Sequence, residues 1–350
     1  MILLRSELFR ALDTPAGLAS ALQTAANLEH STIPPYFYAL YSIKDQTNVE
    51  IAGRIQSVMI EEMLHMTLVC NIMNAMGTPP RLGGEDFVPK YPGPLPGGVE
   101  GGLKVRLAPF SVDLVMTVFM QIEEPERPLV FPDVVLAELA DVPRTIGQFY
   151  AGLKSAITAA GDGAFAKPTN SQITKPFNGK LIAVSDVKSA LAAIDLIVEQ
   201  GEGAPDSPID SVNGFDPKNF NYTQLAHYYR FAEIVHLKRL VANPNATAST
   251  PPDQRFMFGP KIPFTPLDIY GAPADPKRSD YPAGSAQRIA CDKFNATYTG
   301  MLKSLNDMVN GQPNALTTAL SAMDDLQDQA VDMMSGASTG GVPTGPTFEY

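Results

Sequence analysis

The chain has no tryptophan and only two cysteines, Cys70 and Cys291, in 350 residues. Two thiols are too few for a disulfide framework or a sulfur-ligated cluster, and Cys70, on an apolar stretch, reads as an inert core thiol. No stretch approaches the ~18 uninterrupted apolar residues of a membrane span. Positive charge is also scarce. Lys and Arg number 26 against 37 Asp and Glu, and the net charge of −11 argues against nucleic acid and against anionic membrane surfaces as partners. The opening residues Met1-Ile2-Leu3-Leu4-Arg5-Ser6-Glu7 lack the long apolar core of a signal peptide, so Asn221-Tyr222-Thr223 is a chance sequon. The expectation is a soluble cytoplasmic protein that takes a small-molecule substrate, with a homo-oligomer as a compatible assembly.

What the chain does have is apolar periodicity at helical spacing. The 45% apolar content and the length suffice for one large core or two modest ones. A first helix is expected after Asp13 or Thr14, with Pro15 in its first turn. Leu18, Leu22, Ala25, Glu29, Tyr36 and Leu40 form one stripe, so Glu29 sits where an apolar residue belongs. Pro34 and Pro35 should bend this helix about one turn beyond Glu29. After a break at 44–48, a second helix runs to Gly77, with Pro79 and Pro80 behind it. Its stripe of Ile51, Ile55, Val58, Val69, Met73 and Met76 takes in Glu62 and His65, while Glu61 points away.

An imidazole and a carboxylate one turn apart, both facing a bundle interior, are costly to bury unpaired, and a bound cation offsets that cost. The two helices should be antiparallel neighbours. At ~1.5 Å per residue, Glu29 then lies at a similar height to Glu62 and His65.

Residues 81–110 read as a Pro/Gly-rich crossover with a short strand at 103–107. A helix is expected at 111–124, with Val112, Met116 and Phe119 leading onto Glu123. Residues 126–144 read as loop with a short helical piece, and 145–160 as helix. After a loop at 161–184, a helix at 185–201 carries Leu191, Ile194 and Val198 towards Glu202. A linker at 203–219 precedes a helix at 220–241, whose stripe holds a second Glu-x-x-His pair, Glu233 and His236. Residues 242–284 are irregular, helices at 286–310 and 313–335 form a hairpin, and the remaining tail is expected to be mobile. The domain reading is a helical bundle at 1–241, a Pro-rich connection with a hairpin packed on the bundle at 242–335, and a flexible tail at 336–350.

A Glu on one helix and Glu-x-x-His on the next, with another Glu-x-x-His further along the chain, is the ligand pattern of a carboxylate-bridged dinuclear site. The expected metal ligands are Glu29, Glu62, His65, Glu233 and His236, completed by Glu123 or Glu202, which the pattern leaves open. Carboxylates and imidazoles without thiolate suit two iron ions, with manganese or zinc as alternatives. His30 and His227 are the candidate catalytic groups, contacting ligands or substrate. The bland alternative is a buried Glu–His hydrogen-bond network without metal.

Leu28-Glu29-His30-Ser31-Thr32-Ile33-Pro34-Pro35-Tyr36 and Glu61-Glu62-Met63-Leu64-His65-Met66 together resemble the ferritin-like family that includes proteins of the iminophenyl-pyruvate dimer synthase type. The resemblance continues through Phe119-Met120-Gln121-Ile122-Glu123-Glu124-Pro125-Glu126, Thr145-Ile146-Gly147-Gln148-Phe149-Tyr150, Glu199-Gln200-Gly201-Glu202-Gly203, His227-Tyr228-Tyr229-Arg230-Phe231 and the helical pair from Cys291. It implies an all-α fold, a ferritin-like four-helix bundle with long Pro/Gly-rich insertions and an additional C-terminal helical hairpin. It also implies a di-iron site and oxidative dimerisation of aryl imino acids in secondary metabolism. Where relatives carry Glu in the Thr-Ile-Gly-x-Phe-Tyr motif, this chain has Gln148, which puts the charge of that site in question. The competing functions are a metal-binding or storage protein and a metal-free helical scaffold.

Overall fold

The computed structural model describes residues 12–97, 103–125, 129, 146–203, 207–209, 220–247 and 249–350. Its organising unit is a hairpin of two long helices, α1 (Pro15–Tyr41) and α2 (Val49–Ala75). The Thr14 side chain accepts a hydrogen bond from the Gly17 amide, and Pro15 occupies the first turn, where no intrahelical donor is needed. Helix α1 continues through Pro34 and Pro35 to Tyr41. Pro35 cannot donate to the carbonyl of Ser31, and the buried Tyr91 hydroxyl donates to that carbonyl instead, at 2.6 Å. The backbone group released by the proline is therefore satisfied by the crossover segment.

Helix α2 is buried along most of its length, polar residues included. Asn71 donates to the carbonyl of Ile173 at 2.8 Å and accepts from its amide at 2.9 Å. That pair pins the loop before α5 to the bundle.

Helix α3 consists of Val112–Leu114, a π-helical turn Val115–Phe119 and Met120–Ile122. The π turn inserts an extra residue into the spiral. As a result Val115 is fully buried and Met116, expected on the inner stripe, is 49% exposed. Helices α4 (Ile146–Ala160) and α5 (Val187–Glu202) pack on each other and against α1 and α2. A reciprocal cap between Asp186 and Ser189 starts α5.

The helix expected over 220–241 is shorter, α6 (His227–His236). Residues Tyr222–Gln224 form a 3-10 turn, and Leu225 is extended. The helix ends where Leu237 turns left-handed at φ 48°. Beyond this turn the chain forms a strand, β1 (Lys238–Ala242), paired antiparallel with β2 (Phe256–Lys261), Leu240 opposite Phe258. Leu237, Leu240 and Val241 are spaced for a helix face, but the left-handed turn at Leu237 and the strand partner at 256–261 make the segment a strand. In the crossover, the strand expected at 103–107 is reduced to a single bridge between Gly93 and Val105. The helical piece expected within 126–144 lies outside the described residues.

Helices α7 (Ala286–Val309) and α8 (Ala315–Ser335) form the C-terminal hairpin, which packs on α1 and α2. The last residues return to the protein rather than leaving it. Thr344, Thr347 and Phe348 are buried, and the Phe348 ring lies 5.4 Å from Phe37, 5.0 Å from Phe294 and 5.2 Å from Tyr298. The tail expected to be flexible is anchored by an aromatic side chain that composition alone underweights. The architecture is an all-α bundle with an added helical hairpin and one small two-stranded sheet. Among the described residues, no helix is long and apolar enough to cross a membrane.

Candidate metal centre

Four helices direct ionisable groups to one point in the bundle. Glu29 comes from α1, Glu62 and His65 from α2, Glu123 from the end of α3, and His227 from the start of α6. Two overlapping groups each place their ligand atoms within 4.8 Å of one another: Glu29, Glu62 and His65, and Glu62, Glu123 and His227. Glu62 belongs to both. Its Oε1 lies 3.6 Å from Nδ1 of His65 and 3.0 Å from Nδ1 of His227, and its Oε2 accepts from the Thr32 hydroxyl at 2.7 Å. His65 Nδ1 is 3.4 Å from Glu29, and His227 Nδ1 is 3.4 Å from Glu123. The Tyr150 hydroxyl donates to Glu29 and the Tyr36 hydroxyl to Glu123, so a buried phenol holds each outer carboxylate.

The side of the histidines away from this cluster is equally ordered. Gln200 on α5 donates its amide N–H to Oε1 of Glu61 at 3.0 Å, which leaves its oxygen 3.0 Å from Nε2 of His65. Nε2 of His227 lies 3.2 Å from Oε2 of the same Glu61. Arg230, fully buried, reaches Glu61 at 2.6 Å, and Lys180 reaches it at 2.9 Å. One carboxylate thus orients both imidazoles, His227 directly and His65 through Gln200. Both are turned with Nδ1 towards the three inner carboxylates. The helical projection places Glu61 away from the interior. The residue does leave the ligand stripe, but it is 7% exposed, because α5 and α6 cover that face too.

Burial sets the electrostatics. It pushes Glu29 and Glu123 above the ordinary carboxylate range, and the nearby charge of Glu62 pushes them further. At Glu62 burial also acts upward, but the close approach of the His227 and His65 rings outweighs it and holds the group at about 2. His65 is disfavoured as a cation by burial, yet its bonds to Glu29 and Glu62 raise it to about 9, and His227 is raised in the same way by Glu123, Glu61 and Glu62. Glu61 is held well below the usual range, the Arg230 guanidinium being the largest influence opposing its burial.

The donor set fits a metal. Nδ1 of His227 is buried without a hydrogen-bond partner although carboxylate oxygens stand 3.0 and 3.4 Å away, because none of them lies in a bonding direction. An orphaned buried ring nitrogen among carboxylate oxygens is satisfied by a cation placed between them.

Of the residues expected as ligands from sequence, the fold brings together Glu29, Glu62, His65 and Glu123. His227, expected as a catalytic group, stands among the ligand atoms. Glu233 and His236 are elsewhere. Glu233 accepts from Nε of buried Arg54 at 2.5 Å and from the Leu240 amide at 2.5 Å, and His236 packs on Phe258 at 4.5 Å. Their Glu-x-x-His spacing therefore serves an internal ion pair and a helix end. The side chain of Glu202 lies outside the described residues. His30 is buried against Phe87 and bonded through Nε2 to the Tyr298 hydroxyl at 2.9 Å, so it faces the C-terminal hairpin. Gln148 is on the half-buried face of α4. A cavity of about 50 Å³ lies over the ligands, walled by Leu28, Leu95, Ile122, Ile197 and Val198.

A helical bundle whose interior gathers Glu and His from several helices is the class of protein that these features define. The chain belongs to the ferritin-like family: a family model of that description matches residues 22–236, which takes in every group of the cluster. A crystal structure of a ferritin-like protein from Caulobacter vibrioides is similar in fold, with a TM-score of 0.59 and 24% sequence identity, over 95% of this chain and 97% of that one. None of the curated proteins compared with the chain matches it.

Proposed function

We propose that the protein is a dinuclear-metal oxidoreductase. The observation that carries this reading is the position of Glu62, shared between two groups that each have their own outer carboxylate and imidazole. Glu29, Glu62 and His65 would hold one ion and Glu62, Glu123 and His227 the other. Two iron ions held there would supply one-electron chemistry in pairs, with manganese as the alternative. Three carboxylates do not fully neutralise two divalent ions, so the site favours an electron-rich reactant. The 50 Å³ space over the ligands takes a molecule of dioxygen size. Leu28, Leu95 and Ile122 keep bulk water from it, and Tyr36 and Tyr150 fix the outer carboxylates by hydrogen bonds.

The organic reaction we propose to test first is the oxidative joining of two aryl imino acids, which the sequence motifs suggest. Joining two enamine carbons releases two electrons and two protons, and dioxygen accepts both. With so little space beside the ligands, the aryl groups give up their electrons from outside the ligand shell.

The test is metal analysis of untagged protein from iron- and manganese-supplemented cells, beside Glu62→Ala/His65→Ala, and then oxygen uptake with aryl imino acids. About two equivalents of metal, lost in the double variant, with oxygen uptake that needs the organic substrate, is the expected result. Neither protein taking up metal, even after anaerobic Fe(II) addition, sinks the proposal. Oxygen uptake with Fe(II) alone points to storage instead.

A further inference from the structure

On the opposite side of α1 and α2 from the metal ligands, a second cavity of about 620 Å³ opens between these helices and the C-terminal hairpin. The two sites share α2 but use different faces of it. Glu62 and His65 face the cluster, whereas Met59, Met63 and Met66, at helical spacing, face the cavity. Met301 and Met308 from α7 and Met323 from α8 complete the wall, so six of the chain's 14 methionines line one space. Unbranched thioether chains adapt to varied apolar shapes.

Polarity is graded from mouth to floor. Gln56, Asn178, Asp324 and Gln327 are exposed at the mouth, and Ile60 and Leu320 stand there 44% exposed each. Deeper in, the described walls are apolar except for buried Thr67, whose hydroxyl donates to the Met63 carbonyl at 2.8 Å, and the hydrogen-bonded pair His30 and Tyr298, both buried. Among the described lining residues there is no Lys, Arg or Glu, and the one carboxylate, Asp324, is at the mouth.

We propose that this cavity is a binding site for a neutral aliphatic or aryl molecule carrying a single hydroxyl or carbonyl group, its apolar body among the methionines and its polar end at His30 and Tyr298. The volume lies within the range of small-molecule pockets, roughly 300–1,000 Å³. A void of this size inside a bundle is costly to maintain without an occupant. Walls without cations give an anionic head no partner, and the apolar floor gives a cationic one none. A second copy of the chain is a poorer occupant, because a flat protein surface does not reach a polar pair buried at the floor. The site is independent of the metal reading, since none of the ligand residues lines it.

The probe is N-phenylnaphthylamine, a neutral fluorescent arylamine, titrated into the full-length protein and displaced by decanol or by decane. Saturable one-to-one binding is expected, with decanol displacing better than decane. Met323→Trp, which fills the space from half-buried α8, should weaken probe binding by about tenfold or more, and Leu320→Asp should weaken it at the mouth. Tyr298→Phe should remove roughly fivefold of the decanol affinity while leaving decane unchanged. Metal content is measured on the same samples and should not differ between variants, so loss of the cavity and loss of the metal reading are told apart. Unsaturable probe binding, or equal binding by wild type, Met323→Trp and Leu320→Asp, overturns the proposal. So does binding that disappears as rising protein concentration drives self-association, which would assign this face to a second copy.

Discussion

His65 and His227 lie nearly parallel across the bundle, ring centroids 5.4 Å apart and planes 20° from each other, each with Nδ1 turned to Glu62. They come from α2 and α6, far apart in the chain, and Glu61 holds both by their far nitrogens. Without metal, the inner carboxylates favour a proton on each ring. His65 moves from 6.5 to about 9, a raised value, so its contribution to the stability of the metal-free protein is full below 6.5 and is lost as pH rises through about 9. A metal ion needs the neutral imidazole. Metal affinity should therefore increase with pH up to about 9, with protons released on binding. Calorimetry in buffers of different ionisation heat reads that release, and pH-independent binding with none would contradict the arrangement.

Gln200 has no metal-ligating atom in the cluster, yet it links His65 to Glu61. Gln200→Leu keeps the approximate volume and removes the link. Metal affinity should fall roughly 10–100-fold, as for other groups that orient a ligand from behind, while the helical content is retained. Glu61→Gln should lower affinity as well, through both histidines at once, and should also destabilise the fold, since Arg230 is fully buried and loses its carboxylate. Competition titration with a chromogenic chelator measures the affinities. Unchanged affinity in Gln200→Leu would mean that the link does not position His65.

The α1–α2 half of the site is legible in sequence because it is local. Glu29, Glu62 and His65 interrupt two apolar stripes at matching heights of one hairpin, and they meet in the structure. The other half depends on long-range choices that periodicity does not encode. Glu233 and His236 share the spacing of Glu62 and His65, but α6 is oriented by the Arg54 pairing and by the turn at Leu237, so its ligand-bearing end is His227. The anchoring of Phe348 and the pairing of β1 with β2 likewise rest on partners far along the chain. Glu61 departs from its projection for a different reason: one helix taken by itself has an outside, whereas α2 in the bundle is enclosed on several faces.

Arg54 and Glu233, both 2% exposed, form an ion pair at 2.5 Å away from the metal cluster. Arg54 also donates to the Glu50 carbonyl at 2.7 Å and stacks 4.6 Å from the centre of the Tyr222 ring. Glu233→Ala leaves the buried guanidinium with only the more distant, half-buried Glu50 carboxylate at 3.7 Å and should cost about 3 kcal/mol, read by chemical denaturation. Metal content of the folded fraction should match wild type. A variant of wild-type stability that loses metal would instead return Glu233 to the ligand set.

The C-terminal segment should contribute to the fold through Phe348. Its ring is 3% exposed and meets Phe37 of α1 together with Phe294 and Tyr298 of α7, so it joins the added hairpin to the bundle. Asn295 reinforces the attachment, donating to Thr347 at 2.8 Å and accepting from the Glu349 amide at 3.1 Å. Phe348→Ala should destabilise the protein by about 3–5 kcal/mol, the usual range for a buried aromatic. Hydrogen exchange should show the largest gain in α7, around Phe294 and Tyr298, with α2 near His65 little changed. Denaturation midpoints equal to wild type, or exchange rising first at the metal cluster, would show that the tail is not what couples the hairpin to the bundle.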